Sequence, residues 1–169
     1  MHDVQQLPSS ALQLGEFIRV TTSNQNVYAE SRLRKLLDVC SRVQGSFCNP
    51  KNDSQMIKSV GMLCRRDKSL RRVSADQTTG VWKDPDLVLK FDQLISRIDY
   101  RLQQNSFDPK TLCQVATAIS RIGYRNASLI ENLAAAVKIY QDEYDSTAKN
   151  TIHQAYEKLG MNELEAAKI

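Results

Sequence analysis

Six cations, Lys58, Arg65, Arg66, Lys68, Arg71 and Arg72, fall in the short stretch KSVGMLCRRDKSLRR, where Asp67 is the single acid. Guanidinium and ammonium groups at this density suit one chemistry, the non-specific and salt-sensitive binding of phosphates or of another acidic partner. Tyr124 and Arg125 stand further along at a turn between two helical patterns. An aromatic beside an arginine there suits stacking on an unpaired base. The plain alternatives are a solvated helix end with its loop for the first group, and ordinary turn residues for the second. The basic stretch runs into RRVS, a short match to a basophilic kinase site at Ser74.

Other chemistry is thin. His2 and His153 share no motif with a Cys or Asp, and His153 reads as a packed or half-exposed helix residue. Cys40, Cys48, Cys64 and Cys113 are scattered without a C-x-x-C pair, so neither a disulfide framework nor a zinc site is indicated. Reduced thiols packed in helices fit the spacing better. No glycine loop of a phosphate-binding kind occurs. The reading is of a chain with no catalytic residue, no metal, no cofactor and no small-molecule substrate.

The elements that must position the cations are helical. The chain has 169 residues, enough for one domain that buries roughly two-thirds of its unfolded surface. Six glycines and four prolines are too few for a turn-rich β fold. No apolar run approaches the ~20 residues of a bilayer span, so no membrane insertion is expected. The net charge of +4 is unevenly placed, since the basic middle is followed by an end carrying Asp142, Glu143, Asp145, Glu157, Glu163 and Glu165. Such a polarised surface bears on association more than on fold. The first twenty residues, with one Arg and two acids, lack the Arg-rich pattern of a mitochondrial presequence.

Apolar residues recur at three- and four-residue steps from Tyr28 to Val43, and Gly45 stops that stripe. A polar loop, SFCNPKN, precedes a helix capped by Asp53 or Ser54 and carrying Met56, Ile57, Val60, Leu63 and Cys64. The segment 67–85 has little periodicity and reads as a long basic surface loop that Trp82 pins to the body. Asp84 and Pro85 open the next helix, with its stripe from Leu87 to Leu102. Asp108 caps another that Gly123 ends, and Asn126 or Ser128 starts its partner. The last runs from about Ser146 to Leu159 and closes at Gly160. An additional helix at 11–20 within an N-terminal segment 1–25 brings the expected number to six or seven.

One unit is used twice. Aligning Gly123 with Gly160 pairs Phe107 with Tyr144, Asp108 with Asp145, Val115 with Ile152, Ala118 with Ala155, Ile119 with Tyr156 and Ile122 with Leu159. The shared features have separate jobs: an aromatic before the cap, a capping Asp, a small residue at a close approach, a terminal glycine. The period of 37 residues, with a partner helix inside it, is that of an α-hairpin solenoid. CSRVQG at 40–45 is a loose third match to ISRIG at 119–123.

FDPKTLCQVATAISRIGYRNASLIENLA resembles a repeat of the heptatricopeptide and octotricopeptide class, relatives of pentatricopeptide repeats. The clear match covers Phe107–Tyr140, with a partial copy to Met161. The resemblance implies a mitochondrial protein that touches RNA within a ribonucleoprotein. For some members of the wider class it implies instead a purely protein-binding accessory subunit of a complex such as ATP synthase. The expected fold is all-α, a single α-α superhelix of right-handed stacked hairpins with its clearest repeats over 107–161. The expected role is a non-catalytic interaction subunit of a larger assembly, with RNA contact through Lys58, Arg65, Arg66, Lys68, Arg71, Arg72, Tyr124 and Arg125.

Overall fold

A computed structural model describes residues 29–161; the expected helix at 11–20 and His2 lie outside them. Within this range the chain is all-helical, with six α-helices and no strand. They are α1 (Ala29–Arg42), α2 (Pro50–Arg66), α3 (Pro85–Gln103), α4 (Pro109–Ile122), α5 (Ala127–Ile139) and α6 (Ser146–Lys158). Short 3-10 turns punctuate the connections, two of them, Lys68–Leu70 and Gly80–Lys83, inside the segment between α2 and α3.

The starts are chemically alike. Pro50, Pro85 and Pro109 each take the first turn, where a missing N–H costs nothing. Asn49, Asp84, Asp108, Asn126 and Asp145 each accept a backbone N–H with a side-chain oxygen. The cap of α2 is therefore Asn49, which accepts from Asn52 N at 2.8 Å, and not the expected Asp53 or Ser54. Asn-Pro outcompetes them because the proline preorganises the first turn, and part of the supposed loop is helix. Asp53, freed from capping, is buried and paired with Arg97 and Arg101, each at 3.1 Å. Those two arginines also donate to the carbonyls of Cys40 and Cys48, at 3.2 and 3.0 Å, and so tie the end of α1 and the loop after it to α3.

The helices form two layers. α1, α3 and α5 lie side by side in one, and α2, α4 and α6 in the other, while α1 with α2, α2 with α3, and α4 with α5 close across the layers. Each helix thus packs on the one two places ahead, the arrangement of stacked hairpins. One apolar core runs through the stack, from Leu33, Leu36 and Leu37 through Phe91 and Ile119 to Tyr156.

The echo is structural. α4 and α6 are neighbours in one layer, and the paired positions Phe107 and Tyr144, Val115 and Ile152, Ala118 and Ala155, Ile119 and Tyr156, Ile122 and Leu159 are all buried. Asp108 accepts from Thr111 N at 2.7 Å and Asp145 from Ala148 N at 2.8 Å. Gly123 and Gly160 take left-handed φ values of +75° and +83°. The third match does not belong to this series, because Cys40–Gly45 ends α1 in the opposite layer. The helix that precedes α4 in its layer is α2, and matching Pro50 to Pro109 widens the interval to 59 residues (109 − 50). The segment between α2 and α3 is what hides the earlier copy.

Gly61 of α2 shows why the layer packs closely. A Cβ there would sit 2.9 Å from Ala118 Cα and 3.0 Å from its carbonyl oxygen. In an open helix Gly→Ala gains about 1 kcal/mol. Here we expect Gly61→Ala to cost about 1–3 kcal/mol by overpacking against backbone, read as a lower urea midpoint. A raised midpoint would mean that α2 and α4 part freely.

Candidate functional site

The segment 67–84 lies on the surface for most of its length, with Lys68, Val73, Asp76 and Lys83 exposed, but it is anchored at three points. Leu70, Arg72 and Trp82 are buried, so the segment is a strap laid across the hairpin ends. The Trp82 indole N–H donates to the Leu70 carbonyl at 3.0 Å, and the Cys64 thiol donates to the same oxygen at 3.6 Å. The expected pinning by Trp82 is thus present. What lies beneath it is an arginine.

Arg72 has 0% of its surface exposed. Its guanidinium stands 5.2–5.5 Å from the ring centroids of Trp82, Phe91 and Tyr124. The rings meet edge to face, Trp82 with Phe91 at 5.1 Å and Phe91 with Tyr124 at 5.3 Å. One amino group pairs with the Asp92 carboxylate and the other donates to Ala75 O at 2.8 Å. A charge taken out of water is costly unless paired, and the carboxylate, the carbonyl and three π faces supply the compensation. Two expected contact residues are therefore corrected. Arg72 and Tyr124 are interior groups and present no surface to RNA.

The neighbours of Arg72 are arranged by its burial. Gln77 accepts from Val73 N at 2.7 Å and donates to Arg71 O at 3.2 Å, closing the strap's turn. Arg125 N donates to Val73 O at 3.0 Å, fastening the strap to the turn between α4 and α5. Arg71 and Val73 then line a groove with Ser120, Gly123, Arg125 and Lys158, a cavity of about 510 Å³. Three cations from three separate segments face this groove, and among the described residues no carboxylate lines it. Arg71 approaches the position a Gly123 side chain would take, and Arg125 that of Gly160. Each arginine is thus set against the carbonyl end of a helix, the favourable pole for a cation.

Arg65, Arg66 and Lys68 are exposed at the end of α2, and Lys58 is exposed two turns earlier. Burial first, and then the like charge of Arg65, pushes the Arg121 guanidinium below its ordinary range. The last turns of α2, α4 and α6 therefore form one basic edge, with Arg65, Arg66, Arg121 and Lys158 on them and Arg71 and Arg125 between. Arg121 and Lys158 are additions to the sequence-based set. Both stand two residues before a terminal glycine, in SRIG and EKLG, so the 37-residue alignment itself carries the signal.

Of the remaining reactive groups, Cys40 and Cys64 are enclosed, and Cys48 and Cys113 are half-buried. Burial pushes the Cys40 and Cys64 thiols up to about 12, and the Cys113 thiol is also raised. Burial likewise raises the hydroxyls of Tyr144 and Tyr156. His153 is half-buried on α6, in keeping with its reading as a packed residue. Among the described residues no cluster of His, Cys, Asp or Glu is arranged to hold a metal ion, and no helix is long and apolar enough to cross a membrane. The chain matches no family model, no curated protein and no solved structure.

Two outcomes follow. Arg72→Ala should cost about 2–4 kcal/mol in chemical denaturation, from an emptied cage and a lost pair. A change within about 0.5 kcal/mol, as for a surface cation, would contradict the burial. Because a thiolate is the nucleophile, Cys40 and Cys64 should resist iodoacetamide at pH 8 in the native protein and react once it is unfolded, as mass spectrometry reads directly.

Proposed function

We propose that this chain is a non-catalytic helical-repeat module that binds RNA phosphates along the basic edge at the ends of α2, α4 and α6, as a subunit of a mitochondrial ribonucleoprotein. The observation that carries the reading is the groove of Arg71, Arg125 and Lys158, which gathers three cations with no carboxylate among the described residues of its walls. Arg65 set against Arg121 adds to it. Like charges held close raise each other's energy, and a polyanion laid across them relieves that cost. The contact set on this reading is Lys58, Arg65, Arg66, Lys68, Arg71, Arg121, Arg125 and Lys158. The organelle and the assembly rest on the resemblance of 107–161 to octotricopeptide-type repeats.

One feature supports a second reading, a protein-docking accessory subunit without RNA contact. Between α5 and α6 runs a largely apolar groove of about 380 Å³ lined by Ile130, Ala134, Leu159 and Met161, with Glu131 and Lys138 also on its walls. A helix of another subunit fits such a trough. The two faces are separate, and a ribonucleoprotein subunit has use for both.

Titration of a labelled single-stranded RNA of about twenty nucleotides at several salt concentrations tests the leading reading. Micromolar or tighter binding with a steep inverse salt dependence is expected, and each phosphate-contacting cation changed to Ala should flatten the slope by about one unit. Arg65→Ala, Lys68→Ala and Arg125→Ala are the informative variants, since none is interior. Absence of binding at moderate salt would favour the docking role.

A further inference from the structure

We infer that the groove of Arg71, Arg125 and Lys158 is a seat for a phosphate monoester, the phosphorylated end of an RNA strand, rather than one more contact along its diester backbone. The inference rests on the RNA reading above and narrows it to one site and one group.

The charge balance points this way. Two helices end at the groove, α4 at Gly123 and α6 beside Lys158, and each C-terminus carries about half a unit of negative charge. Set against three cations, these poles leave an excess of about two positive charges. A phosphodiester carries one negative charge and leaves the groove cationic. A phosphate monoester carries about −1.5 to −2 near neutral pH and balances it.

The donors point the same way. The Ser120 hydroxyl donates to Thr117 O at 2.7 Å, the Gly123 amide to Ile119 O at 2.9 Å, and the Arg125 amide to Val73 O at 3.0 Å. The backbone and hydroxyl groups at the groove are therefore satisfied internally, and binding falls to the three cationic side chains. The buried Arg71 Nε has no hydrogen-bond partner, and neither has the Nε of Arg72 beside it. An uncompensated buried guanidinium nitrogen is costly, so a turn of the Arg71 side chain toward a bound phosphate removes a cost as well as making a contact. The guanidinium forks of Arg71 and Arg125 match phosphate geometry, and Lys158 adds a point charge.

The strap holds Arg71 in place. Its main chain is held by the burial of the next residue, Arg72, and by Gln77, which donates to the Arg71 carbonyl, so the base of the side chain is placed beside the groove before a ligand arrives. A seat prepared in this way loses less entropy on binding than mobile surface lysines.

The test compares three forms of one twenty-nucleotide RNA, 5′-phosphorylated, 3′-phosphorylated and unphosphorylated, by fluorescence anisotropy, with inorganic phosphate and a phosphoserine peptide as competitors. A phosphorylated end, on one side or the other, should tighten binding about tenfold. Lys158→Ala or Arg125→Ala should remove that preference while unphosphorylated RNA still binds; Lys68→Ala, outside the groove, should weaken all three strands and keep the preference. Equal affinity for the three strands, or a preference that survives in Lys158→Ala/Arg125→Ala, overturns the seat while leaving general RNA binding intact. Inorganic phosphate binding as tightly as the phosphorylated strand, or tighter capture of the phosphopeptide, overturns the assignment to an RNA end. If no strand binds, the RNA reading fails, and arginine side-chain NMR with inorganic phosphate decides the seat alone. Shifts confined to Arg71 and Arg125 uphold a phosphate site, and unmoved signals overturn it.

Discussion

A guanidinium buried among three aromatic rings is the constraint on which the rest of this molecule depends. Arg72 brings together three parts of the chain: the strap that carries it and Trp82, helix α3 through Phe91 and Asp92, and the turn after α4 through Tyr124. Burying an unpaired charge is costly enough to unfold a domain of ordinary stability. The partners must therefore be in place together, and the strap closes as a unit or not at all. Once it is closed, Arg71 and Val73 have no freedom to lie elsewhere, and the basic groove is formed.

The two layers explain where the cations go. Repeated helices of one layer start at capping acids or amides, and α4 and α6 end at glycines, so their poles are aligned from α2 to α6. Negative side chains gather at the starts, as with Asp108 and Asp145, and positive ones at the ends, as with Arg65, Arg66, Arg121 and Lys158. This follows the helix dipole. Repetition then turns a local preference into an edge rich in cations, with Asp67 and Glu157 as the acids among them. The net charge of the chain is only +4, yet Arg71, Arg125 and Lys158 are gathered in one groove.

Much of the architecture is legible in the sequence. The Asp-Pro starts, the three- and four-residue stripes and the terminal glycines each act over a few residues, so a short window contains them. The 37-residue echo is legible for the same reason, since Val115 and Ile152 or Ala118 and Ala155 serve the same packing in the same layer. The cap of α2 is easily misplaced because Asp53 is as good a capping residue as Asn49, and only the distant Arg97 and Arg101 show that it is used otherwise. The earlier copy of the unit is hidden for two reasons. CSRVQG in α1 imitates a helix end, while α2 lacks the closing glycine and is set off by the strap.

The site is less legible, for a physical reason. In a run such as CRRDKSLRR every cation looks solvated, because exposure is the rule for arginine. What singles out Arg72 lies ten, nineteen and fifty-two positions away, in Trp82, Phe91 and Tyr124. No local pattern encodes such a meeting. Conversely, Lys158 has the pattern of an ordinary helix-end residue, and only the stack brings it beside Arg71 and Arg125. The most direct test of the buried strap is hydrogen exchange of the Trp82 indole proton, followed by NMR beside the core amides of α2 and α4. If the strap is part of the core, that proton exchanges only with global unfolding, at the same free energy as those amides. Exchange at the rate of an exposed indole, with the helices still protected, would show the strap to be a loose loop and the groove not to be a fixed feature of the fold.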